Sequence, residues 1–80
     1  MNNREKYNNV FVEALEISAD KVDSSLEMGK NLQWDSVGHM NLIAHLEETF
    51  NIEFEMEDMM MFNSYNAGIE ILSKYGIKID

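Results

Sequence analysis

Cysteine and proline are absent from this 80-residue sequence, and glycine occurs only four times. Without cysteine the chain has no disulfide framework and no thiol of its own. The lack of proline and the scarcity of glycine remove the residues that most often interrupt helices. These absences favour a helical domain with irregular connections.

Basic residues are also few. Six Lys and Arg stand against fifteen Asp and Glu, which gives a formal net charge of -9 at pH 7. Such a chain repels phosphate backbones, so we expect no nucleic-acid partner. The same charge steers encounters with basic protein surfaces, which are the partners that it favours.

Long hydrophobic runs are missing. The opening MNNREKYNNV contains no apolar signal region, and no later segment is long enough to span a bilayer. We therefore expect a cytoplasmic, monomeric protein without a membrane span. Residues 1–80 are expected to form one domain, since 45% hydrophobic residues in so short a chain suffice for a single core.

Apolar residues at helical spacing predict a first amphipathic helix from about Asn3 to Ile17. From Ser18 to Asp35 the pattern fails, and turn-forming residues dominate. A long loop is therefore expected between the first two helices. The apolar residues that would attach this loop to the core are Val22, Leu26 and Leu32.

A second helix is predicted from about Ser36 to Phe50. Its buried face would consist of Leu42, Ile43, Leu46 and Phe50. An extended link, NIEFE, follows this helix, and its alternating pattern points Ile52 and Phe54 inward.

The segment MEDMMMF predicts a short third helix, in which Met59 and some of its neighbours would fill the core. A last helix would begin at a cap formed by Asn63 or Ser64 and end at Gly76. The residues on its inner face would be Tyr65, Ile69 and Leu72. The predicted fold is all-α: a four-helix bundle of three longer helices and one short third helix.

Ser36 stands where the second helix is predicted to begin. A serine at this point can be an N-cap, which typically contributes ~1 kcal/mol to stability, or a hydroxyl displayed for chemistry. The helix face opposite the buried one combines apolar and acidic residues, which is typical of a docking surface. This predicted partner-binding face consists of Val37, Met40, Asn41, Ala44, Glu47 and Glu48.

The stretch DSVGHMNLIAHLEETFNIEFE resembles the core motif of acyl carrier proteins. That motif runs Asp-Ser, a hydrophobic residue, a spaced apolar set, Leu-Glu-Glu, an aromatic residue, and Ile or Phe in the link. The resemblance implies that Ser36 is the attachment point of 4'-phosphopantetheine, which a phosphopantetheinyl transferase takes from coenzyme A with magnesium. Acyl groups would travel as thioesters on this arm, so the cofactor would bring the missing thiol. A phosphodiester also suits a helix N-terminus, where the helix dipole favours negative charge.

Carried over to this chain, the resemblance makes Asp35 the aspartate that precedes the modified serine. It makes the predicted partner-binding face the docking site for the transferase and for acyl-loading and acyl-transferring enzymes with basic patches. Housekeeping fatty-acid carriers have other residues at four positions, here Trp34, Gly38, Asn41 and Ala44. We therefore expect a non-enzymatic carrier that serves a specialised biosynthetic pathway.

Two other functions remain open. An aminoacyl or peptidyl carrier would share the fold and the cofactor. An acidic helical adaptor would bind a basic partner without any modification, and Ser36 would then be a plain helix cap. A hydrolase built on Asp35, Ser36 and His39 fails on geometry, because neighbours on one helical turn cannot form a nucleophile–base–carboxylate relay.

No metal site is expected. His39 and His45 lack the i, i+4 spacing that lets two imidazoles share a metal. His39 is expected to pack near the loop, and His45 to lie on the surface. The acidic residues that follow the second helix lack the calcium-loop pattern, so we expect a solvated charged face. They are Glu53, Glu55, Glu57 and Asp58.

Two bulky features bear on the cargo. Trp34 would either cover the base of the loop, or else pack on the pantetheine arm or mark a dedicated partner. Met59 and Phe62 lie near the expected acyl cavity and favour a short or polar cargo.

Overall fold

The computed structural model describes residues 2–30 and 33–80 of the chain. Within these ranges it contains four α-helices, three longer and one short. They are α1 (Asn3–Leu15), α2 (Ser36–Phe50), α3 (Met56–Met61) and α4 (Tyr65–Lys74). The predicted all-α fold with a short third helix is confirmed. None of these helices is both long enough and apolar enough to cross a membrane.

The first helix ends before the predicted limit. Its start is capped by Asn2, whose side chain accepts a hydrogen bond from the Glu5 amide at 2.8 Å. At the other end Glu16 adopts a left-handed conformation with φ 54°, which turns the chain out of the helix. The predicted continuation to Ile17 is therefore wrong, although Ile17 still packs against the core.

The loop after α1 is attached to the core as predicted by Val22 and Leu26, which are both buried. Leu32, the third predicted anchor, lies outside the described residues. A short 3-10 helix, Ala19–Lys21, occupies the first part of the loop. An isolated antiparallel bridge joins Glu27 to Ser64, so the middle of the loop reaches the start of α4.

Aromatic rings occupy the centre of the molecule. Tyr7, Phe11, Trp34 and Phe62 are each 0% exposed. The Phe11 ring lies edge-on to Tyr7 at a centroid distance of 5.0 Å and edge-on to Trp34 at 5.4 Å. Side chains from α1, the loop and the residue after α3 thus share one core.

The last helix shows a different inner face from the predicted one. It buries Tyr65, Gly68, Ile71 and Leu72, whereas Ile69 is only half-buried. Gly68 explains the difference, because a Cβ atom there would collide with Tyr7 and Phe62. The close approach of these two rings turns the Gly68 side of α4 inward and leaves Ile69 at the margin.

Candidate functional site

Ser36 is the first residue of α2, and its side chain is exposed. The N-cap of the helix is Asp35, which is extended and accepts a hydrogen bond from the Gly38 amide through Oδ1 at 2.8 Å. The interpretation of Ser36 as a helix cap is therefore wrong. With the capping role filled by its neighbour, the serine hydroxyl is displayed at the helix N-terminus.

Trp34 packs the start of α2 against the core. Its ring is fully buried, at 5.4 Å from the Phe11 centroid and 6.5 Å from that of Phe62. The interpretation of Trp34 as a cover for the base of the loop agrees with this position. The alternative, in which the ring packs on a pantetheine arm, is wrong because none of the residue is exposed.

His39 joins the helix start to α3. Its Nδ1 accepts a hydrogen bond from Trp34 Nε1 at 3.0 Å, and its Nε2 lies 2.8 Å from the carbonyl oxygen of Met59. Since a carbonyl only accepts and the indole only donates, the ring is neutral and protonated on Nε2. Both ring nitrogens are thus engaged, so His39 cannot serve Ser36 as a base. The expectation that it packs near the loop agrees with these contacts.

Gly38 has a packing role that the sequence analysis did not anticipate. It is buried, and a Cβ atom on it would collide with the carbonyl oxygen of Gln33 and lie 3.0 Å from a Leu15 methyl carbon. Gly38 is therefore not part of the outer helix face, where it was counted as a departure from the housekeeping carriers. An acidic side chain at this position would meet the loop backbone.

The predicted partner-binding face of α2 is exposed in most of its members. Val37 is 71% exposed and Met40 66% exposed, and Asn41, Ala44 and Glu48 are also exposed. Glu47 differs from them. It is half-buried, and its Oε2 accepts a hydrogen bond from the Phe54 amide at 2.8 Å. Its carboxylate therefore also fixes the link between α2 and α3.

The methionines of α3 were expected to be core filler in part. Met59 is half-buried and packs against the core. Met56, Met60 and Met61 are 75%, 76% and 59% exposed, so they are not core residues. The methionine-rich composition was the available signal, but it did not separate core residues from surface ones.

A cleft of about 420 Å³ adjoins the start of α2. It lies between the end of α1, the last loop residues and the first two turns of α2. Polar side chains in its lining include Glu16, Gln33, Asp35 and Asn41. Its lining includes Asp35 and Val37, the two neighbours of Ser36, but not Ser36 itself.

The acidic segment that follows α2 is not wholly a solvated face. Asp58 is 7% exposed and accepts hydrogen bonds from Lys74 Nζ at 2.6 Å and from Tyr75 Oη at 2.7 Å. These bonds, the one from Lys74 foremost, lower the pKa of Asp58. Tyr75 Oη also accepts a hydrogen bond from the Glu55 amide at 2.9 Å. Asp58 therefore fastens α3 to the end of α4.

Metal binding finds no support in residues 2–30 and 33–80, which contain no group of three or more His, Cys, Asp or Glu side chains able to hold an ion. His45 lies half-buried, with Nδ1 at 2.9 Å from the Asn41 carbonyl oxygen. It is therefore less exposed than the predicted surface position.

Comparison with known proteins identifies the family of the chain. The family described as "phosphopantetheine attachment site" matches residues 9–72. Acyl carrier proteins from two Buchnera aphidicola strains (subsp. Acyrthosiphon pisum, Tuc7 and APS) are each 29% identical over 77 residues, which is 96% of this chain and 96% of each relative. Such proteins are carriers rather than catalysts, with 4'-phosphopantetheine as their covalent cofactor. The chain belongs to the phosphopantetheine attachment site family, and its resemblance to acyl carrier proteins is confirmed.

Proposed function

We propose that Ser36 is the residue that carries 4'-phosphopantetheine, and that acyl groups travel on it as thioesters. One observation carries the assignment: Ser36 is exposed at the first position of α2, while Asp35 caps the helix. A hydroxyl that the fold does not use can be esterified without loss of a structural hydrogen bond.

The cofactor supplies a thiol at the end of a flexible arm, and the residues around Ser36 hold its point of attachment. The N-terminus of α2 stabilises the phosphodiester charge through the helix dipole. The bond from the Gly38 amide to Asp35 stabilises the neighbouring carboxylate and keeps the helix start in place. Trp34 packs against Phe11 and Gly38 lies against the loop backbone, so the helix start that presents Ser36 is held in place.

The partners in this proposal are a phosphopantetheinyl transferase and the enzymes that load and use the acyl group. Val37 and Met40 offer apolar contact close to Ser36, and Glu48 offers negative charge farther along the same helix. Basic and apolar partner surfaces would complement this face. Glu47 contributes less than a free carboxylate would, because it is bonded to the Phe54 amide.

A specialised pathway is part of the same proposal. Its support now comes from Asn41 and Ala44, which are exposed on the docking face of α2. Gly38 no longer supports it, because the loop contact accounts for that residue. Efficient replacement of a housekeeping carrier in reconstituted fatty-acid elongation would contradict the specialised role.

The test is intact mass after incubation with coenzyme A, magnesium and a broad-specificity phosphopantetheinyl transferase. The wild type should gain one phosphopantetheine, and Ser36→Ala should gain none. Ser64→Ala is the matched control, since Ser64 also stands at a helix start but accepts a hydrogen bond from the Ala67 amide. It should be modified like the wild type.

A wild type that several transferases leave unmodified would refute the assignment and favour the unmodified acidic adaptor. If the wild type is modified, incubation with acyl- and aminoacyl-activating enzymes would distinguish an acyl carrier from an aminoacyl carrier. The cytoplasmic location and monomeric state stay predictions, which cell fractionation and light scattering would check.

A further inference from the structure

We infer that Trp34 closes the interior of the helical bundle to cargo, so that the carried acyl group is short or polar and stays outside the helices. This inference rests on the proposed function and adds the class of substrate. Its basis is the way in which three residues, Trp34, Phe62 and His39, occupy and lock the centre of the molecule.

Trp34 fills the space between the helices. Its residue is 0% exposed, and its ring meets Phe11 of α1 edge-on and Phe62 at a tilt. The His39 ring from α2 lies beside it, with the centroids 6.2 Å apart and 20° between the planes, and accepts the hydrogen bond from its Nε1. Rings from α1, α2 and the end of α3 thus surround the indole, and aromatic side chains occupy the core behind the start of α2.

Phe62 is held just as firmly. It is 0% exposed, and its ring lies edge-on to Phe54 at 6.0 Å. On another side it lies so close to Gly68 that a single added carbon on α4 would collide with it. The ring therefore cannot swing toward α4 to make room, because the helix backbone is already there.

A hydrogen-bonded chain links the indole to α3. Trp34 Nε1 donates to His39 Nδ1, and His39 Nε2 donates to the carbonyl oxygen of Met59. Moving α3 outward would break the second bond, and moving the indole would break the first. Both bonds are part-buried, so breaking either would expose a polar group to a partly desolvated environment at a cost in free energy.

The consequence for cargo follows from hydrophobic burial. A long acyl chain on a flexible arm is unfavourable in water unless the carrier shelters it, and the cost grows with each methylene. Shelter inside this bundle would require the displacement of fully buried aromatic side chains from close packing. A short or polar acyl group needs no shelter, so it suits this interior.

The experiment loads Ser36 directly with acetyl-, hexanoyl- or octanoyl-phosphopantetheine from the matching coenzyme A thioesters, using a broad-specificity transferase. For each product we would measure the melting temperature and the rate of thioester hydrolysis. The wild type should show the same values for all three chains. A melting temperature that rises with chain length, together with slower hydrolysis, would show that the interior takes the chain and would overturn the inference.

Two variants test whether Trp34 is the barrier. Trp34→Phe keeps an aromatic core but removes part of the ring and the bond to His39, and Phe62→Leu opens the same region from the other side. With octanoyl cargo, Trp34→Phe should melt higher and hydrolyse more slowly than its own acetyl form. Far-UV circular dichroism would establish that each variant is folded.

If Trp34→Phe and Phe62→Leu are folded and neither acquires dependence on chain length, Trp34 is not the barrier and the inference is wrong. The outcomes also separate the two proposals. A wild type that accepts no acyl-phosphopantetheine would refute the attachment at Ser36 and the cargo class with it. A wild type that accepts all three chains but protects the longer ones would refute the cargo class alone.

Discussion

Two helices of this protein begin at a serine preceded by a polar residue, yet the two serines do different things. Asp35-Ser36 starts α2, and Asn63-Ser64 starts α4. Ser64 is the N-cap of α4, and its hydroxyl accepts a hydrogen bond from the Ala67 amide at 3.0 Å. Ser36 is already inside α2, one position past the cap, and is exposed.

A shift of one residue therefore separates a structural hydroxyl from a displayed one. The two helices also differ in where a buried glycine follows the cap. Gly38 lies three residues after the cap Asp35, whereas Gly68 lies four residues after the cap Ser64. Each glycine lies where another segment comes too close for a Cβ atom.

The largest expected effect comes from exchanging the cap and the hydroxyl, with Asp35→Ser combined with Ser36→Asp. Serine and aspartate are comparable N-caps, and an acidic residue in the first turn suits the helix dipole. The double variant should therefore fold with a melting temperature near that of the wild type. Its serine would be engaged as a cap, so modification in the transferase assay should be lost completely.

Intact mass and thermal melting of the same samples check this prediction. Asp35→Asn alone is the matched control, because asparagine also caps well and leaves Ser36 in place. It should remain stable and modifiable. A phosphopantetheine gained by the exchanged protein would show that the position in the helix does not decide which hydroxyl is used.

The next largest effect is expected for Gly38→Ala. Alanine favours a helix by about 1 kcal/mol over glycine. The collision of its methyl group with the Gln33 backbone should cost up to about 3 kcal/mol as overpacking, which leaves a net loss of up to about 2 kcal/mol. Urea or thermal unfolding would measure it. An exposed control on the same helix, Asn41→Ala, should not destabilise, and a stabilised Gly38→Ala protein would mean that the loop yields.

Much of the fold follows from the sequence alone. The bounds of α2 agree with the prediction because a strong apolar periodicity runs between a good start signal and a residue, Asn51, that tolerates the left-handed conformation. The end of α1 was missed because Glu16 takes that conformation without such a signal. Local pattern cannot show a left-handed glutamate, since it is the packing of the loop that imposes it.

The sequence singles out Asp35 and Ser36 as candidate residues but does not decide which of them caps the helix. Aspartate and serine are both favoured caps, so the pair in positions 35 and 36 leaves the choice open. The choice depends on the burial of Trp34 and Gly38, which involves contacts with α1 and the loop. The bonds of His39 to Trp34 and Met59 likewise join residues whose proximity exists only in the folded chain.

A smaller effect is expected on stability when each of the two serines is replaced by alanine. Ser64→Ala removes a cap and should cost ~1 kcal/mol, which lowers the melting temperature of a domain of this size by roughly 4–8 °C. Ser36→Ala should leave the melting temperature almost unchanged, because Asp35 caps α2. Calorimetry of the two unmodified variants checks the contrast. Equal losses would mean that the Ser36 hydroxyl stabilises the helix start after all.

The smallest effect concerns Asp58, which fastens α3 to the end of α4. Hydrogen bonds from Lys74 and Tyr75 lower its pKa, so the native state favours the ionised carboxylate. That contribution is complete above the ordinary aspartate pKa of about 3.9 and is lost as the pH falls through the lower folded value. The Lys74 side chain is 62% exposed, so solvent screens the pair and the contribution is modest.

Asp58→Asn should therefore lower the melting temperature at pH 7. The difference in melting temperature between this variant and the wild type should become smaller as the pH falls below 4. Thermal melts of both proteins across this range measure the difference directly, and common effects of the other carboxylates cancel. Glu57→Gln, at an exposed neighbouring position, is the control and should show no such convergence.

Modification of Ser36 in the Asp58→Asn variant should be unchanged at pH 7, because its helix start is held by Asp35, Gly38 and Trp34. Slower modification of the Asp58 variant would instead show that the two helix starts are coupled through α3, with His39 as the connecting residue.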